Sequence, residues 1–227
     1  MAGVLRPLDR DAIRAEYRAA KPFPFFKIEN FLLPDFLARV VAAYPSYETA
    51  RTMGREFTAV NERLKIQVTD REQFPDPVKQ LADELNGPEF LADMEYITDI
   101  PNLLADTAFG GGGMHLSSSG GRLDVHVDFN FLDRMQTFRR LNILVYLNPE
   151  WQEDWGGRIE LWDKDVTRAE HSFAPVVNRC VVFETSEMSY HGVTPLTCPP
   201  GVVRKSFAAY YYTKEAPAWY DGQNHST

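Results

Sequence analysis

Thiols are scarce in this chain: its 227 residues include only Cys180 and Cys198. Neither stands in a C-x-x-C or zinc-like spacing, which argues against a disulfide-built scaffold or a cysteine-ligated metal and leaves two free thiols as the reading. Long apolar runs are missing as well. The opening residues, "MAGVLRPLDRDAIRAEYRAAK", hold no signal-like apolar core, and no stretch approaches the length of a membrane-crossing helix. A cytoplasmic protein without a membrane role is expected. Positive charge is in the minority, with 24 Lys and Arg against 32 Asp and Glu for a net charge of -8. Such a surface repels phosphate backbones and anionic lipid, so no nucleic-acid partner is expected. Repeats, low-complexity tracts and interdomain linkers are absent too.

What is present is an ordinary globular composition, 44% apolar and 25% charged, enough for a buried core. The first part of the chain is mostly helical. "LDRDAIRAEYRAA", "LPDFLARVVAAY", "DPVKQLADELNG" and "PEFLADMEYITD" read as helices, and "FPFFKIENF" as a strand. Residues 46–74 lack periodicity and read as a loop or lid. After "FGGGGMH" short strands take over: "MHLSS", "RLDVHVD", "RLNILVYLN", "GRIELWD", "RCVVFET" and "VRKSFAAYYYT", separated by turn chemistry such as "SSGG" and "TCPPG". We expect one domain over 1–227, with a helical part to about 105, an antiparallel β core of jelly-roll or cupin type over 106–213, and a polar, mobile tail over 214–227.

"DVHVDFNF" at 124–131 carries the first chemical signal. Alternate residues of a strand share a face, so His126 and Asp128 project together. Alone, the pair reads as a half-buried histidine satisfied by a carboxylate. His191 in "SEMSYHGV", just after a strand, supplies a second imidazole. Two histidines and one carboxylate suit a facial metal site with open positions, as non-haem Fe(II) requires. In "VVRKSFAAYYY", Arg204 and Ser206 share a strand face. A guanidinium fork beside a hydroxyl is a receptor for a carboxylate, although a lone arginine more commonly forms a surface ion pair.

The order His-x-Asp, His, Arg-x-Ser resembles the iron(II)- and 2-oxoglutarate-dependent dioxygenases, their prolyl-4-hydroxylase-like branch most of all. "RRLNILVYLNPEWQEDWGGRIELW", "NRCVVFETSEMSYHGV" and "FFKIENFLLPDFLARVV" are similar to that branch's segments in the same order, over roughly residues 22–213. The resemblance implies a double-stranded β-helix in which His126, Asp128 and His191 hold Fe(II). It further implies that Arg204, supported by Ser206, takes the distal carboxylate of 2-oxoglutarate, with Tyr146 offering a hydroxyl. Asn142 is placed either on the same cavity or as a buried structural amide, and His115 on the cavity or in the core. Arg204 is followed by serine at the second position, where many prolyl hydroxylases differ. The cofactors implied are Fe(II), 2-oxoglutarate and O2, with ascorbate as reductant. The reaction implied is hydroxylation of an unactivated C–H bond, with succinate and CO2 as co-products. The carboxylate of Asp128 argues against halogenation, for which the related halogenases have Gly or Ala there. We expect a small-molecule substrate, an amino acid or biosynthetic intermediate, with a peptidyl substrate as the alternative. A non-catalytic cupin-like binding protein and a cupin isomerase or hydrolase are the rival classes. Arg122, Asp124, Asn130, Trp162 and Tyr190 read as turn, rim or packing residues, His171 and His225 carry no signal, and Gly110–Gly113 reads as backbone freedom where a strand begins or a lid hinges.

Overall fold

Helix α1 (Arg10–Ala19) starts where its capping residue predicts: the Asp9 carboxylate accepts from the Ala12 amide at 3.1 Å. The computed structural model describes residues 3–226. Strand β1 (Phe25–Ile28) is followed by α2 (Pro34–Ala43), which has proline in its first turn and buries Phe36 and Val40. The pair α4 (Asp76–Leu85) and α5 (Pro88–Thr98) is broken at Asn86–Gly87 as expected.

Residues 46–74 are not a structureless loop. They form α3 (Tyr47–Met53), capped by Ser46, and a hairpin of β2 (Arg55–Thr58) and β3 (Glu62–Val68), before a turn of 3-10 helix. β3 pairs with β5 (Gly113–His126). Only Ile66 and Val68 of β3 are buried, so its other positions tolerate charge and hide the alternation.

The remaining strands are β4 (Leu104–Ala105), β6 (Phe131–Leu132), β7 (Thr137–Tyr146), β8 (Ile159–Trp162), β9 (Ala169–Phe173), β10 (Cys180–Glu184), β11 (His191–Val193) and β12 (Arg204–Thr213). They run in the order β1-β10-β7-β12-β5-β11-β8-β9. β5 joins the two halves: its first residues pair with β12, and Leu123 and His126 pair with β11. "SSGG", expected as a turn between two strands, is instead a bend inside this one strand. Gly120 takes φ +83° there, and β3 stays paired on both sides of the bend. The sheet therefore curls into a half-barrel, the double-stranded β-helix expected.

Alternation sorts the side chains into two layers. Ile143, Val145, Val182, Phe207, Ala209 and Tyr211 face the helices and form the main core with Val40, Leu81 and Met94. From the same strands Tyr146, Val181 and Phe183 enter the curl, joining Phe23, Phe25, Ile159 and Leu161. Strands buried on both faces read as near-continuous apolar runs, which is why these were the easiest to recognise. The described part of the tail packs against the sheet rather than swinging free, with the Tyr220 ring 4.7 Å from Phe138. No helix among the described residues is long and apolar enough to cross a membrane.

Gly113, where β5 begins, sits at φ +82°, and a β-carbon there would lie 2.1 Å from the Val68 carbonyl oxygen. Gly113→Ala is therefore expected to destabilise the protein by more than about 1 kcal/mol. It should also speed amide exchange along β3, read by urea unfolding and hydrogen exchange.

Candidate active site

β5 and β11 meet with His126 directly opposite His191, their rings 4.4 Å apart. His191 thus opens a short strand of its own, separated from β10 by a turn. Strand β5 ends at His126, so Asp128 is outside it. Its carboxylate nevertheless turns to the histidines, with Oδ1 3.5 Å from His126 Nε2 and Oδ2 3.3 Å from His191 Nε2. One ligand-capable atom from each of the three residues lies within 4.8 Å of the others.

Backbone carbonyls set the imidazoles. His126 Nδ1 lies 2.8 Å from the Asp124 carbonyl and His191 Nδ1 2.9 Å from the Ser189 carbonyl. A carbonyl only accepts, so each Nδ1 carries a proton and Nε2 is the nitrogen that each ring turns inward, where it can ligate a cation. Two neutral nitrogens and a carboxylate form a donor set for a divalent cation, and a 2-His-1-carboxylate set suits Fe(II).

Sequence reasoning passed over Arg139, the largest fully buried polar side chain here. Its Nη2 is 3.2 Å from Asp128 Oδ2, and its Nε donates to Asn142 Oδ1 at 2.8 Å. Asn142 Nδ2 in turn donates to Asp128 Oδ2 at 2.6 Å. The guanidinium lies over Tyr210, 3.6 Å from the ring centroid, and 4.5 Å from that of Phe129. Burial alone would raise the Asp128 carboxyl, but the Arg139 guanidinium beside it holds it well below the usual carboxylate range. Asn142 lines the cavity as its parity suggested, and its contacts bridge Arg139 to Asp128.

The other end of the cavity holds Arg204 and Ser206. Arg204 is buried, donates through Nε to the Gly157 carbonyl at 2.7 Å and meets the Tyr146 hydroxyl at 3.3 Å. Among the described residues no carboxylate pairs with it, and burial pushes its guanidinium below the ordinary range. The Ser206 hydroxyl, also buried, has no hydrogen-bond partner. Tyr146 is fully buried behind Arg204, with its ring 5.0 Å from the guanidinium. His115 stands opposite Ser206 on β5, and Ser117 opposite Arg204. Burial first, then Lys65 and Arg204, holds His115 well below the ordinary imidazole range, hence neutral.

His115, Asn142, Arg139, Arg204, Ser206 and the histidine–aspartate cluster line one cavity of about 280 Å³, while Tyr146 lies behind its wall. The β2–β3 hairpin contributes Phe57, Glu62, Lys65 and Gln67 to its wall, residues hidden from sequence reasoning with their hairpin. The charges beside its mouth are matched internally: Lys65 with Glu62 at 2.7 Å and Arg122 with Asp124 at 3.0 Å. Asn130, expected on a solvated turn, is buried. His171 packs against Phe25 and Phe173.

Residues 112–212 match the 2OG-Fe(II) oxygenase superfamily. The mouse prolyl 3-hydroxylase OGFOD1 is 33% identical over 82 residues, 33% of this chain and only 14% of that protein. A Pseudomonas putida prolyl-4-hydroxylase superposes with a TM-score of 0.60 at 21% identity, covering 88% of this chain and 98% of its own. A Trichoplax adhaerens prolyl hydroxylase, solved with a hypoxia inducible factor peptide fragment, gives 0.61 at 16% identity, covering 89% and 88%. At these identities the solved structures establish a shared fold.

Proposed function

We propose, from the match of residues 112–212 to the 2OG-Fe(II) oxygenase superfamily and from the site's geometry, that the protein is such an oxygenase and hydroxylates a peptidyl substrate at an uncharged side chain of the prolyl type. The observation that carries this reading is one cavity with the histidine–aspartate cluster on its wall and the unmatched Arg204–Ser206 pair at its end. His126, Asp128 and His191 would hold Fe(II), which when bound supplies the chemistry with O2 that the polypeptide lacks. Overall, one oxygen atom of O2 enters the new hydroxyl and the other enters succinate as 2-oxoglutarate loses CO2.

The protein's part is orientation. Arg204 and Ser206 would take the far carboxylate of 2-oxoglutarate, giving the buried cation a counter-charge and the orphaned hydroxyl an acceptor. Behind them, Tyr146 and the Gly157 carbonyl hold the guanidinium in place. Arg139 and Asn142 would keep Oδ2 of Asp128 occupied and leave Oδ1 for the cation.

Cavity size and rim charge favour a peptidyl over a small-molecule substrate. At about 280 Å³, the space lies just below the usual range of ligand pockets, roughly 300–1,000 Å³. With 2-oxoglutarate inside, little more than one side chain fits, so the rest of the substrate would lie outside. The matched charges at the mouth leave Phe57, Leu123 and Phe129 as an uncharged lining. Relatives named as prolyl hydroxylases support the same choice over the small molecule expected from sequence.

Anaerobic titration of metal-free protein with Fe(II) and 2-oxoglutarate should give the visible charge-transfer band of the chelate, abolished in His126→Ala. Proline-containing peptides should then stimulate succinate release well above free amino acids. Iron binding without the band would remove the cosubstrate assignment. Better turnover of free amino acids would remove the peptidyl one alone.

A further inference from the structure

Of the three clustered ligand residues, Asp128 lies outside the strand ladder, and His126 and His191 stand at the end of it. Pairing along β5 stops at His126 opposite His191 and resumes only at Phe131 opposite Phe138. Asp128 lies in the gap. On the facing segment, residues 185–190 turn between β10 and His191. That turn is braced by Ser186 and Ser189: the Ser186 amide donates to Ser189 Oγ, and that hydroxyl donates back to the Ser186 carbonyl, each at 2.8 Å. The Ser189 carbonyl is the one that orients His191.

The two segments are tied together at Asn130, whose exposure is only 3%. Its amide nitrogen donates to Glu187 Oε1 in the facing turn and to the Gln223 carbonyl in the C-terminal segment, both at 2.9 Å. Its amide oxygen accepts from the His225 backbone nitrogen at 3.2 Å. Its own carbonyl accepts from the Arg139 amide at 2.9 Å, fixing the start of the strand whose guanidinium holds Asp128. Glu187 is engaged at its other oxygen, with Oε2 2.9 Å from His225 Nε2. No other residue type offers two donors and an acceptor in this short planar reach: aspartate lacks the donors, and glutamine carries the amide one methylene too far.

We propose that Asn130 is a positioning residue: through Glu187 and the Gln223–His225 backbone it couples the Asp128 segment to the turn that aims His191. The C-terminal segment thereby helps set the spacing of the clustered ligands. The inference rests on the metal reading above for its purpose, but the coupling of the segments is a property of the metal-free protein.

Hydrogen exchange of the metal-free full-length protein, with anaerobic Co(II) titration as the metal probe, tests it. Asn130→Ala and Glu187→Ala should each accelerate exchange in both segments, 127–131 and 186–191, while leaving α4 unchanged. Each should also weaken Co(II) binding by roughly tenfold or more, as loss of outer-layer support does in metal sites. Glu187→Gln retains an Oε1 acceptor and should restore most of both properties. The double variant should be little worse than either single one, because both remove the same link. Glu187 is partly exposed, so its variants keep the test open should Asn130→Ala fail to fold. Acceleration confined to the altered segment, wild-type Co(II) affinity in Glu187→Ala, or additive effects would overturn the proposal. A parent protein that binds no Co(II) would instead remove the metal reading, and the exchange arm would still decide the coupling.

Discussion

Arg204→Met is expected to leave the metal-free protein as stable as its parent or more so, while its affinity for 2-oxoglutarate falls by about two to three orders of magnitude. The two effects share one cause. Arg204 is buried with a carbonyl and a phenol as its hydrogen-bond partners, and no carboxylate reaches it among the described residues. A buried cation without a counter-ion costs free energy that a long apolar side chain does not. The fold tolerates this because the site is built for an anion. Truncating one member of a buried charge pair costs roughly 2–5 kcal/mol of binding, which sets the expected loss. Arg204→Lys should not rescue it, since a point ammonium cannot keep the Gly157 and Tyr146 contacts and still offer a fork. Thermal unfolding with and without 2-oxoglutarate and Mn(II) reads both effects, because a ligand that binds only the native state raises Tm. An unchanged 2-oxoglutarate-dependent rise in Arg204→Met would sink the assignment.

The same strand shows why much of this site was legible in the sequence. Arg204 and Ser206 sit in an unbroken ladder, where alternation holds and puts both in the cavity. His126 lies on an equally regular stretch. Asp128 was placed correctly for a reason that does not hold: parity was extended past the end of β5, and the carboxylate faces inward because Arg139 and Asn142 hold it there. Arg139 shows the limit. Simple alternation from Asn142 predicts that Arg140 faces the cavity. The pairing of β12 with β7 skips, however, from Tyr211 opposite Leu141 to Tyr212 opposite Arg139, leaving Arg140 as the extra residue of a bulge. The face is exchanged there, and Arg139 enters the site while Arg140 approaches Glu184. The "RR" dipeptide carries no mark of which arginine turns inward. The β2–β3 hairpin was hidden differently. It is an edge addition buried at only one end, and its composition is that of a loop.

Arg139→Met is expected to destabilise the metal-free protein by about 3–5 kcal/mol at neutral pH, the usual cost of stripping one partner from a buried ion pair. The pH dependence separates this mechanism from lost packing. Asp128 is held well below the ordinary carboxylate range, so the native state binds fewer protons there than the unfolded chain. Its contribution is complete above the unfolded value of about 4 and is lost as pH falls through the lower native value. In Arg139→Met the burial remains and the main opposing cation is gone, so the carboxyl titrates higher and the variant tolerates acid better than its parent does. The gap between the two proteins should therefore be widest near pH 7 and narrow steadily in acid. A pure packing loss would be the same at every pH. Asp128→Asn, which leaves Arg139 as the unpaired member, should be comparably destabilised, and the double variant should be more stable than additivity predicts. Urea unfolding of the four proteins at neutral and acidic pH measures all of this. A gap that does not narrow, or strict additivity, would mean that Arg139 stabilises the site through its stacking on Tyr210 and not through the carboxylate it touches.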